Sequence, residues 1–203
     1  VRTPPVEPHV VTAEVRASER LTPNMQRVTL GGESLDRFTP VGYDQWFRLF
    51  LAREGQDVLG LPTATSVLWY AQYLAIPRDR RPWVRNYTVR EWRADGPHGP
   101  ELDIDFVVHG DSLGPASGFA VDAAPGTRVG ILDQGLGYEP DRDEDWQLLV
   151  ADESGLPAVA GILRSLPSDA RAEVFIEIPS DDDRQELGES AGATVHWLAR
   201  DDP

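Results

Sequence analysis

Over roughly the first 130 residues of this 203-residue chain, apolar side chains recur at every second position. Beyond residue 146 they form short continuous runs separated by helical spacing. A period of two belongs to half-buried strands, and the later pattern to buried parallel strands joined by helices. The chain is therefore expected to fold as an N-terminal antiparallel β-barrel or sandwich, with the barrel taken as the fold, followed by a Rossmann-like parallel α/β domain. Alternation marks strands at residues 9–17, 25–30, 43–52, 84–93, 101–109 and 127–132. In the fifth, Leu102, Ile104, Phe106 and Val108 share one face, and Asp103, Asp105, Val107 and His109 the other. An aromatic segment between Gly60 and Arg81, with a short helix at 66–74, reads as an insertion over one end of the barrel. The second pattern predicts strands at 146–151, 172–178 and 194–199, with helices at 156–166 and 181–190. The acidic stretch 141–145 is the expected linker, so the domains are drawn at 1–140 and 146–203. Three strands fall short of the five or six in a doubly wound nucleotide domain. The α/β part is therefore either minimal or lacks its C-terminal portion, and the second is the expectation.

All 19 basic residues are Arg, and there is no Lys and no Cys. That excludes disulfides, a cysteine nucleophile, Schiff-base chemistry and a P-loop lysine. Four scattered histidines do not suit a His-rich metal site, and no metal is expected. The net charge of −15 is uneven: residues 1–100 carry +2 and residues 101–203 carry −17. Positive charge gathers at Arg78, Arg80, Arg81, Arg85, Arg90 and Arg93. Such a cluster is either a solvated loop and strand edge or an anion site, since Arg offers planar paired donors to phosphate and carboxylate. The overall charge opposes nucleic-acid binding. No apolar run reaches the length of a membrane span, and no signal-peptide core opens the chain. The expectation is a cytoplasmic protein without membrane insertion.

Several motif matches fail on context. Gly188-Glu189-Ser190-Ala191-Gly192 matches a nucleophile elbow, but it ends a predicted helix instead of opening one. Asp141, Asp143 and Asp145 resemble a calcium loop in which Trp146 stands at the required glycine. Asn86-Tyr87-Thr88 matches a glycosylation acceptor, with nothing to direct the chain to a secretory compartment. There is no G-x-G-x-x-G.

One constellation fits its context. Arg85-Asn86-Tyr87-Thr88-Val89-Arg90 lies in a predicted strand, with Arg85, Tyr87 and Val89 on one face. About 20 residues on come His109-Gly110 and Gly114-Pro115-Ala116-Ser117, where helical spacing begins. An Arg and an aromatic on one strand, beside a helix start of small residues, suit a ligand with a diphosphate and a flat ring. The residues equally allow Tyr87 to pack in the barrel and Arg85 to pair with Asp103 or Asp105.

The Arg-x-Tyr-Thr-Val-Arg segment resembles the flavin signature of ferredoxin-reductase-like flavoproteins. Together with residues 103–110, Gly114-Pro115-Ala116-Ser117 and residues 151–158, it resembles the siderophore-interacting proteins, FAD-dependent ferric-siderophore reductases. The resemblance implies roles. Arg85 contacts the FAD diphosphate, Tyr87 stacks on the flavin ring and Thr88 lies near its reactive edge, so Tyr87 and Thr88 are the candidate catalytic contacts. Val89 and Arg90 complete the motif, and His109, Gly110, Gly114, Pro115, Ala116 and Ser117 hold the diphosphate side. Asp152-Glu153-Ser154-Gly155-Leu156-Pro157 lies where NADPH or NADH is received, with the two acids orienting the loop or meeting hydroxyls. Electrons then pass from NAD(P)H through FAD to a ferric siderophore, for which Arg78, Arg80 and Arg81 are the candidate landing surface. Gly118-Phe119 and Ser154-Gly155 depart from the family's commoner residues. A second expectation is an FAD-binding electron carrier reduced by a partner such as ferredoxin; a third is a cofactor-free interaction module.

Overall fold

A computed structural model describes residues 3–56, 58–108, 110, 113–140, 145–188 and 192–201. Its strands are β1 (Val10–Thr22), β2 (Met25–Gly31), β3 (Trp46–Leu51), β4 (Trp83–Thr88), β5 (Glu91–Gly96), β6 (Gly99–Val107) and β7 (Arg128–Asp133), followed by β8 (Gln147–Ala151), β9 (Arg171–Ile178) and β10 (Gly192–Ala199). The helices are α1 (Leu68–Ala75), α2 (Pro115–Asp122) and α3 (Leu156–Ser165).

The first seven strands form one antiparallel sheet in the order β4-β3-β7-β1-β2-β6-β5. Inward residues of the alternating strands, including Val28, Leu30, Phe47, Leu49, Leu102, Ile104 and Ile131, make one buried core. The sheet curls until Tyr87 of β4 meets Phe106 of β6 across the order, with ring centroids 4.3 Å apart. Among the described residues β4 and β5 remain its two edges, so the predicted barrel is open. The predicted strand at 84–93 is in fact two strands. At the break the Val89 amide donates to Gln45 O at 2.8 Å, and the Arg90 amide donates to Asp103 O at 2.9 Å. The backbone thus changes neighbours from the β3 side to β6 within one residue, and the chain itself spans the gap.

The last three strands form a parallel sheet in the order β10-β9-β8. α3 covers one face, burying Leu156, Val159, Ile162 and Leu163 with Val174 and Ile176. The helix expected at 181–190 is absent from the described part of that stretch, which has a single 3-10 turn, Asp181–Asp183. Asp is a poor helix former, and tertiary partners take over here. Buried Asp183 accepts hydrogen bonds from Thr22 Oγ1, the Asn24 amide, Asn24 Nδ2 and Ser180 Oγ, at 2.7 to 3.1 Å. Leu187 then turns into the core. Residues 189–191 and 141–144, which carry parts of two rejected motifs, lie outside the described residues.

The same contacts seat the α/β unit on the sheet. Arg90 Nη2 donates to Glu186 O at 3.1 Å, Arg164 Nη2 donates to Arg90 O, and the Tyr43 amide donates to Ser165 Oγ at 2.7 Å. Gly161 on α3 faces the Tyr43 carbonyl so closely that a Cβ would collide with it. The result is a fixed joint with a cleft on one side.

Candidate functional site

The cleft encloses about 780 Å³ between the outer edge of the barrel and the start of α3. Pockets for small ligands and cofactors typically measure about 300–1,000 Å³. It brings together Arg85, Tyr87, Thr88, Ser117, Asp152, Glu153, Ser154 and Pro157 from the predicted set. β4 supplies the first three because it is an edge strand, with one side of its backbone unpaired in the sheet.

Arg85 is exposed; among the described residues its side chain donates to the carbonyl of neighbouring Val84, at 2.8 Å, and its guanidinium carbon lies 5.8 Å from the Trp83 ring centroid. The carboxylates that offered it a structural partner are taken. Asp103 binds Arg93 and Thr29 Oγ1, and Asp105 binds Arg27 and Arg90. Burial works against the charge on Asp103, yet the bonds from Arg93 and Thr29 hold its pKa below the usual range. Tyr87 is half-buried, and burial pushes its phenol up, so it stays neutral at physiological pH.

The N-terminus of α2 stands beside this wall. Gly114 precedes it with no side-chain cap, and Pro115 occupies the first turn. The Gly118 amide donates to Gly114 O at 2.8 Å, so the Ala116 and Ser117 amides come before the first intrahelical bond. Ser117 Oγ donates to Val107 O, which ties the helix start to β6. Gly110, Gly114, Pro115 and Ala116 are outside the cleft lining, and His109 lies outside the described residues.

On the opposite wall the charges are used internally. Asp152 Oδ1 accepts from the Ser154 amide, Ser154 Oγ and the Gly155 amide. The Ser154 hydroxyl is the main reason its pKa is lowered. Glu153 is gripped through both oxygens by Arg200, at 2.9 and 2.8 Å, and its pKa is lowered chiefly by that contact. Gly155 lies outside the lining, and Leu156 is fully buried in the core.

Other predicted residues lie elsewhere. Val89 is in the barrel core. Arg90 is 6% exposed and is held by Asp105 and Glu186 at the joint, so it does not reach the cleft lining. Arg81 donates to Leu74 O and Ile76 O, closing the end of α1, and Arg78 and Arg80 are exposed away from the lining. Residues absent from the sequence-based site are Asp44, Trp46, Asn86, Asp105, Val107 and Ala158. Trp46 pairs with Thr88 across β3–β4. Only strand pairing reveals that placement, whereas Asn86 was available inside the recognised motif.

These features define a class first: a flavin-reductase-like open barrel joined to a nucleotide-type α/β unit, with a ligand cleft where they meet. The flavohemoprotein-type FAD/NAD-binding domain of a Vibrio cholerae nitric oxide dioxygenase shares the fold, with a TM-score of 0.64 at 16% identity. Residues 14–137 match the siderophore-interacting FAD-binding domain, and residues 144–203 match the siderophore-interacting protein model. The chain belongs to the siderophore-interacting protein family. A siderophore utilization protein from T. fusca superposes with a TM-score of 0.77 at 32% identity, over 99% of this chain and 73% of that one. The ferric vibriobactin reductase ViuB of Vibrio cholerae is 34% identical over 181 residues, 88% of this chain and 62% of its own length. The NADPH-dependent ferric-chelate reductase of Escherichia coli is 32% identical over 191 residues, 91% of this chain and 69% of its own. An uncharacterised Mycobacterium tuberculosis protein is 36% identical, and the chain covers 64% of its length. The chain thus spans less than two-thirds of the mycobacterial protein and of ViuB. Among the described residues no helix is long and apolar enough to cross a membrane.

Proposed function

We propose that this chain is the FAD-holding part of a ferric-siderophore reductase, with residues 1–140 binding the cofactor and residues 146–203 receiving NADPH or NADH. The observation that carries the reading is Arg85, a guanidinium on the cleft wall with no carboxylate partner among the described residues, beside an uncapped helix start. The residues fit the group. Arg85 and the Ser117 amide at the start of α2, with the Ala116 amide next to it in the same turn, offer cationic and N–H donors to a diphosphate. Pro115 itself contributes only geometry, having no N–H. Tyr87, kept neutral by burial, offers a flat face to the flavin ring, and Thr88 offers a hydroxyl to its edge. Bound FAD supplies the conversion of a two-electron donor into single electrons for Fe(III).

The remaining work belongs to the chain. Asp152 and Glu153 hold the β8–α3 loop so that Ser154 and Pro157 present a rim to the donor. The substrate is ferric iron in an oxygen-donor chelate, and Fe(II) is held less tightly by such ligands. The names of the Vibrio and Escherichia relatives support the substrate class, and the latter supports NADPH. The proposed nicotinamide donor supports a cytoplasmic location for the reaction. The test is to load the chain with FAD without oxygen, add NADPH or NADH, then add a ferric chelate and trap Fe(II) colorimetrically. The reading expects bleaching followed by reoxidation with Fe(II) formed. Bleaching with no Fe(II) formed contradicts the ferric substrate, and a spectrum unmoved by either donor contradicts the nicotinamide site.

A further inference from the structure

α1 carries no charged residue, and none of its side chains is buried. A helix that is apolar on all sides belongs in a core or in lipid. Its inner side is Trp69 and Tyr73, which meet buried Phe50 of β3 with ring centroids 6.1 and 6.4 Å away. The attachment is firm. Gln72 Oε1 accepts from the Thr63 and Ala64 amides at 2.8 Å, and Tyr73 Oη donates to Pro82 O at 3.0 Å. Helical spacing then turns Leu68, Ala71 and Leu74 away from the barrel. Val67, Leu68, Tyr70 and Leu74 are between 46% and 87% exposed, so they stand up as a ridge. Contiguous exposed apolar side chains mark an interaction surface.

The charge beside this ridge has the opposite sign to that of the chain. Between residues 58 and 81 the one acid is Asp79, against Arg78, Arg80 and Arg81, in a chain of net charge −15. Arg81 is engaged with the end of α1. Arg78 and Arg80 are exposed, and among the described residues their side chains make no hydrogen bond or ion pair. Neither the ridge nor these two arginines line the cofactor cleft.

We propose that the outer face of α1, with Arg78 and Arg80, docks the protein peripherally on an anionic lipid surface, lying in the headgroup layer without crossing it. Charge complementarity selects this occupant. The two arginines at the end of the helix meet lipid phosphates, while the Val67, Leu68 and Leu74 side chains enter the boundary of the acyl layer. Tyr70 carries an apolar ring with a polar tip, which suits the same level. At physiological salt such attraction reaches about 8 Å, so a headgroup reads the charges beside α1 and not the net charge of the chain. The contact is independent of the cofactor reading, because cleft and ridge share no residue.

Co-sedimentation of the full chain with vesicles tests this. Phosphatidylcholine vesicles containing about 30% phosphatidylglycerol are compared with phosphatidylcholine alone. The anionic vesicles are expected to bind at least about fivefold tighter, and added salt at about 0.5 M is expected to remove the difference. Arg80→Gln is expected to weaken binding to them about fivefold, and Val67→Asp about tenfold. Val67 directly precedes α1, where aspartate is a favoured residue, and both positions are exposed, so the urea-unfolding midpoint should stay in place. Binding to neither vesicle, equal binding to both, or anionic binding indifferent to Val67→Asp overturns the proposal. Self-association in sedimentation velocity that Val67→Asp abolishes, without vesicle binding, overturns it in favour of a second copy of the chain.

Discussion

The two walls of the cleft use their charged residues in opposite ways. On the barrel wall Arg85 is exposed and meets no carboxylate among the described residues. On the α/β wall Asp152 closes its own turn and Glu153 is clasped by Arg200. Five residues beyond Arg85 on the same segment, Arg90 is buried against Asp105 and linked to the α/β unit. A cation facing a cleft, with no carboxylate partner among the described residues, can take an anion. Satisfied carboxylates shape a loop, and a buried cation joins two bodies. Residue type alone does not separate these three roles; the partners do.

Breaking the joint should give the largest effect. Arg90→Met leaves Asp105 with Arg27 alone and the Glu186 carbonyl without its donor, and is expected to lower stability by about 2.5 kcal/mol in urea unfolding, since a buried charge-assisted contact and a link to the α/β unit are lost together. Arg85→Met should do the reverse. It should leave the unfolding midpoint in place and weaken FAD binding by about 2 kcal/mol, roughly 30-fold, the scale of a charged hydrogen bond. If both variants lowered stability alike, the distinction between the two arginines would fail.

Asp183 sharpens the comparison through pH. Burial opposes its charge, but the bonds from Asn24, Thr22 and Ser180 outweigh that and hold its folded pKa below the ordinary value. A depressed carboxylate stabilises the fold above its unfolded pKa and loses that contribution as pH falls toward the folded one. Wild-type stability should therefore drop below about pH 4, and Asp183→Asn should cost about 1.5 kcal/mol at pH 7 with a shallower acid loss. Chemical denaturation across pH 3–7 reads both. Gly161→Ala gives the smallest effect, with a diagnostic sign. Alanine normally favours a helix interior, but here its methyl group meets the Tyr43 carbonyl, and a net loss of about 1 kcal/mol is expected. A stabilised Gly161→Ala would mean that α3 and the Tyr43 turn are not packed this tightly.

Much of this organisation is legible in the sequence because strand alternation is local. The two faces of β6 separate in sequence as they do in space, with Ile104 and Phe106 inside and Asp103 and Asp105 paired on the other face. Arg85, Tyr87 and Thr88 are legible because one strand carries all three. The break at Val89 is not, since β4 and β5 are both extended and only their hydrogen-bond neighbours change. Residues 181–188 mislead because Asp183 and Leu187 answer to distant partners, not to helical spacing. Asp44 and Trp46 reach the cleft only through the fold, one from the turn before β3 and the other opposite Thr88. The Arg78-to-Arg81 cluster looked uniform in sequence, yet Arg81 closes a helix while Arg78 and Arg80 are left in solvent.

The central claim is that the barrel wall is a cofactor surface organised around Arg85. The most direct measurement is a titration of the purified chain and of Arg85→Met with FAD, followed by visible absorption and calorimetry. The account predicts uptake of one equivalent by the wild type and roughly 30-fold weaker uptake by the folded variant. A wild type that takes up no FAD, or a variant that takes it up equally well, would contradict it.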